Sequence, residues 1–140
     1  MNLRESVVAL ASACDALTDA DRTLQAFLAA TPGAVPELVI CNGPLSVRLA
    51  ARSAAGEVHL IRDVAAADLP RDFDAATAAF ITAQLARLEP PVAAMVEARL
   101  RAGGELLVAV RVFPATFELT LFDEGQAHVL RSVTVAETLQ

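Results

Sequence analysis

Gly56-Glu57-Val58-His59-Leu60-Ile61-Arg62-Asp63-Val64 is echoed by Gly125-Gln126-Ala127-His128-Val129-Leu130-Arg131-Ser132-Val133. Gly, His, Arg and Val return in the same order at the same spacing. The positions between them exchange one aliphatic residue for another. This pair of segments decides the reading of the whole chain: it consists of two copies of one unit, about residues 1–70 and 71–140, within a single domain.

Upstream of the first copy, Leu3, Val7, Leu10, Cys14 and Leu17 recur at helical spacing and predict a helix over about 3–17. Thr18-Asp19-Ala20-Asp21 carries an N-cap and acid for a first turn, so a second helix restarts there, with Leu24, Phe27 and Leu28 as its apolar face. Thr31-Pro32-Gly33 ends it. Glu37 to Cys41 is a short β-branched run that reads as a strand buried on both faces. Leu45, Val47, Leu49 and Ala51 alternate with polar or small residues and read as a half-buried strand. The opening segment is the third strand, about 57–64.

The second half repeats this order. Phe73, Thr77, Phe80, Ile81, Leu85 and Leu88 form a helical stripe, and Glu89-Pro90-Pro91 interrupts it and starts another helix. Val92, Met95, Val96 and Leu100 are that helix's inner face, and Gly103-Gly104 stops it. An apolar strand from Glu105 to Val112, a corner at Phe113-Pro114-Ala115, an alternating strand and a last strand over about 126–135 follow. The halves align at offsets of 68 to 71 positions. The expected fold is α+β: an internally duplicated helix-helix-β-β-β unit, with an antiparallel sheet or sheets, helices packed on one face, and a pseudo-twofold relation between the copies.

Composition narrows the function. The net charge of −6 is spread over both halves with no basic region, which disfavours a nucleic-acid partner. The chain has no Lys, so Schiff-base and phosphate-loop lysine chemistry is excluded. No apolar run approaches the roughly 18 residues that span a bilayer, so membrane insertion is not expected. The first residues carry no signal-peptide pattern, and the expected location is cytoplasmic. Cys14 and Cys41 are read as free thiols. No nucleophile elbow, His-Glu-x-x-His or paired-Cys motif is present, so the chain is expected to be non-enzymatic, with no cofactor and no metal.

The candidate binding residues are His59, Arg62, His128 and Arg131. Strict alternation groups Leu60, Arg62 and Val64 on one face, and Val129, Arg131 and Val133 likewise, so each copy sets an Arg among apolar neighbours. One reading is a guanidinium pair that grips a partner's carboxylate or a ligand anion. The other is an inward charge protecting an edge strand, or an Arg paired with an acid of its own chain. Arg48 and Glu118 hold equivalent positions with opposite charge and would fix register if they met across the pseudo-axis.

Over half the residues are apolar, more than a core of this size requires, and a protein interface is the simplest cover for the surplus. The expected function is a protein–protein interaction module, an adaptor, assembly factor or chaperone-like protein acting as a homodimer. The alternative is a small-ligand-binding domain with a pocket between the repeats lined by Arg62 and Arg131. The repeated helix–strand–strand–strand layout resembles that of a DNA sliding-clamp domain but is acidic. Small acidic α+β secretion chaperones are similar in size and charge but end in a helix. Neither resemblance rests on a motif that assigns a family.

Overall fold

A computed structural model describes residues 2–103, 106–114 and 116–135. Gly104, Glu105 and Ala115, which the sequence places at a helix stop, a strand start and a corner, lie outside these. The first unit is α1 (Leu3–Ala20), α2 (Arg22–Ala30), β1 (Val35–Asn42), β2 (Leu45–Arg52) and β3 (Val58–Ala65). A short 3-10 turn, Ala66–Asp68, leads to the second unit. That unit is α3 (Phe73–Leu85), α4 (Pro90–Ala102), β4 (Leu106–Phe113), β5 (Thr116–Asp123) and β6 (Gln126–Thr134).

Local chemistry sets the breaks. Asn2 and Glu5 close a capping box at the start of α1. The helix runs to Ala20 rather than ending near residue 17, because the Thr18 hydroxyl bonds back to the Asp15 carbonyl at 3.1 Å and does not cap. Asp21 caps α2 instead, its Oδ1 accepting from the Leu24 amide at 2.9 Å. Pro90 and Pro91 open α4, where the missing N–H groups need no intrahelical partner. Gly103 closes it in the left-handed conformation (φ 73°). Glu124 and Gly125 both have positive φ and form the two-residue turn between β5 and β6.

All six strands join one antiparallel sheet in the order β3-β2-β1-β4-β5-β6, so both repeats share it and meet at the β1–β4 pair. The two copies of the opening segment, β3 and β6, are the edges. The helices cover one face. There α1 packs against α3, and α2 lies over β1 and β2. Val7, Leu10, Phe73 and Phe80 from the helices meet Ile40, Val47, Leu49, Val110 and Leu119 from the sheet, all fully buried. Phe80 and Phe117 make an edge-to-face contact with centroids 5.5 Å apart.

Two further expectations are corrected. The first is β1 as a strand buried on both faces: Leu38 and Ile40 are buried under the helices, whereas Val39 and Cys41 on the opposite face are only half-buried. The second is the strict alternation along the repeated strands. Leu49 pairs with Arg62 and Ala50 with Leu60, so Ile61 is an extra residue in a β-bulge. Leu119 pairs with Arg131 and Thr120 with Val129, so Leu130 is its counterpart. The bulge moves Leu60 and Val129 to the uncovered face. It leaves Arg62 and Val64, and Arg131 and Val133, on the helix face.

Candidate functional site

The repeated His–Arg segment forms two separate corners. Arg62 ion-pairs with Asp21, which is almost wholly buried at the α1–α2 break. Arg131 donates to Gln84 Oε1 at 2.7 Å and to the Arg87 carbonyl at 3.1 Å, at the end of α3. Each arginine reaches from its edge strand over the helix layer to the break between the two helices of its own repeat. Four strands separate β3 from β6, so the two arginines do not line a common pocket. His59 packs on Phe27 of α2 with centroids 5.0 Å apart and lies 3.8 Å from Glu57. His128 is half-buried on β6, with Nε2 unbonded.

Arg48 and Glu118 do not meet. Val39 and Arg111 stand between them in the register, because β1 and β4 separate β2 from β5. Arg48 bonds Asp63 at 3.1 Å instead, in an exposed pair. Glu118 lies 3.5 Å from Arg111.

These pairs belong to a pattern on the uncovered face. Arg52 and Arg111 flank the nearly buried Glu37, at 3.1 Å and 3.6 Å from the same Oε1. Arg111 also reaches Glu118, so Arg52, Glu37, Arg111 and Glu118 form a ladder across four strands. The Arg111 guanidinium sits 5.0 Å from the Phe113 ring centroid, a cation–π contact. Small side chains lie beside the ladder: Ala50, Ala109 and Thr120 are buried under their longer neighbours. Toward the edges, Val58, Leu60 and Val129 are each more than half exposed. Leu60 and Val129 occupy the same position in the two repeats, one residue before the bulge.

The ladder was missed from sequence, although a signal existed. Arg111 interrupts the apolar run from Leu106 to Val112, and a charge inside such a run needs a partner. The partner, Glu37, lies 74 positions away on a strand whose neighbour was unknown.

The thiols divide between the faces. Cys14 is buried on α1, and burial, assisted by the nearby Asp15 charge, pushes its pKa up to about 12. Cys41 lies on the uncovered face of β1, half-buried. Among the described residues no group of three or more His, Cys, Asp or Glu could hold a metal ion. Nor, among the described residues, is any helix long and apolar enough to cross a membrane. A cleft of about 530 Å³ runs between α1 and α3, lined by Ala9, Ala13, Ala16, Arg71, Phe73 and Ala76 among others. Comparison with protein-family models, with curated proteins and with solved structures finds no match to this chain.

Proposed function

We propose that the chain is a non-enzymatic protein–protein interaction module, an adaptor or chaperone-like assembly factor that works as a homodimer. One observation carries this reading: helices cover only one face of the sheet, and the other face presents Leu60, Val58 and Val129 to solvent around charges that are already paired. Exposed aliphatic side chains at both edges of a sheet face that no described helix covers offer an interaction surface. Light scattering on the purified protein, combined with binding of an apolar dye, tests it. A particle heavier than one 14.7 kDa chain is expected. A monodisperse monomer that binds no dye overturns the reading.

The cleft between α1 and α3 favours a second reading, a small-ligand-binding domain. It lies between the repeats and its walls are mostly apolar, as ligand sites are. Arg71, rather than Arg62 or Arg131, is the cation that lines it, next to Asp72. A thermal-shift screen with apolar and anionic metabolites, repeated on Ala13→Phe to fill the cleft, tests this. A shift that survives the filling substitution removes the cleft from the argument.

A further inference from the structure

We infer that the uncovered face of the sheet is the homodimer interface, stacked against the same face of a second copy. This rests on the interaction reading and names its surface and its occupant.

Three observations converge on a second copy. The first is size. Six strands about 4.8 Å apart, with eight residues each rising about 3.3 Å, make a face of roughly 29 Å by 26 Å. That is on the order of 750 Å², close to the roughly 800 Å² each partner buries in a standard interface.

The second is charge. The strand residues of this face include three cations, Arg48, Arg52 and Arg111, and three anions, Glu37, Asp63 and Glu118. Among the described strand residues the charges of this face cancel, although the chain as a whole carries −6. Two copies repel through most of their surfaces and least through this one. Every one of the six charges has an opposite partner on the same face. A second copy can therefore cover them without leaving a charge unpaired, whereas a partner chosen by charge would find none to answer.

The third is symmetry. The strand order reads the same from either edge, repeat for repeat, and Leu60 and Val129 occupy equivalent places on β3 and β6. The backbone of the face repeats while its charges do not, and an isologous contact, in which the same patch serves both partners, asks only that the patch complement itself. Facing sheets stack about 10 Å apart with strands within about 30° of each other.

The two cysteines report on this geometry without any substitution. Cys41 lies on the proposed interface, and Cys14 is buried on the helix side. In a dilution series of the wild-type chain, maleimide labelling of Cys41 is expected to slow at least tenfold as the mass by light scattering doubles, with Cys14 silent throughout. Leu60→Asp combined with Val129→Asp puts charge on two exposed positions and should weaken the dimer on the order of 100-fold or more. Labelling of Cys41 then becomes fast at every concentration. Leu60→Ser with Val129→Ser serves if the charged pair disturbs folding, which far-UV circular dichroism checks.

A dimer whose mass survives these substitutions, or in which Cys41 labels as fast as in the dilute chain, overturns the inference and leaves the interaction reading standing. A wild-type monomer at all concentrations that still binds apolar dye also overturns the inference. A monomer that binds no dye removes both.

Discussion

The two repeats use one device on two different targets. In each, an Arg just after the bulge of an edge strand faces the helices and reaches the break between them. In the first repeat it meets a buried carboxylate, Asp21, that also caps α2. In the second it meets an amide and a carbonyl, Gln84 and Arg87. The outer helices differ in the same direction. α2 buries Leu24 completely, and Phe27 and Leu28 partly. α4 buries no residue fully, leaves Leu100 exposed, and is pinned to β5 by Arg99 on Asp123 at 2.5 Å. The backbone solution is shared, and the side-chain chemistry that secures it has diverged.

The largest test of this contrast is core truncation. Leu24→Ala should cost about 2–5 kcal/mol, the range for a fully buried leucine. Met95→Ala on α4, only partly buried, should cost about 1 kcal/mol or less, since less of it leaves water. Urea denaturation measures both, and equal losses would mean that the two outer helices are seated alike.

The arginines come next. Arg62→Gln leaves the Asp21 carboxylate buried without its cation and should cost about 1–3 kcal/mol. Arg131→Gln leaves the buried but neutral Gln84 Oε1 without its donor and should cost about 1–2 kcal/mol. The Arg62 effect should shrink in high salt, because its side chain is more than half exposed, and the Arg131 effect should hold steady. A salt response that is the same for both would break the distinction between the corners.

The third test compares the two faces through Cys14. Its thiol is held protonated in the folded chain to about pH 12, against an ordinary value of 9.0. The folded state therefore keeps a proton that the unfolded state releases. The stabilisation is full below about pH 9 and is lost as pH rises from there toward 12. The loss should reach about 1 kcal/mol by pH 10, and Cys14→Ala should remove that part of the alkaline slope. The smallest effect belongs to the exposed Arg48–Asp63 pair. At concentrations where the chain is monomeric, Asp63→Asn should leave the melting temperature unchanged within error, because both partners are then hydrated.

Much of the fold was legible because its signals are local. Heptad-like spacing in α1, the prolines at α4, and alternation in β2 and β5 each depend on residues a few positions apart. The duplication was legible because His59, Arg62, His128 and Arg131 recur at fixed spacing. The bulge was not legible. Ile61 and Leu130 look like ordinary strand residues, and only pairing with Leu49 and Leu119 shows that each is one too many. That single extra residue reversed the face assigned to Leu60 and Val129, and with it the place to look for a surface.

The opening segment shows where the division falls. Its residues alone determined that the chain is built twice from one unit, that each copy carries an Arg with an own-chain partner as one of its two readings, and that the chemistry of a metal or nucleophile is not signalled. The tertiary structure decided that the copies are the two edges of one sheet, that their arginines serve separate helix corners, and that Glu37 lies between Arg52 and Arg111 on the face without helices. The physical reason is range. Helix periodicity, caps and turns act over a few residues and are written in order along the chain. Strand neighbours and buried ion pairs join residues tens of positions apart, and only the register of the sheet brings them together.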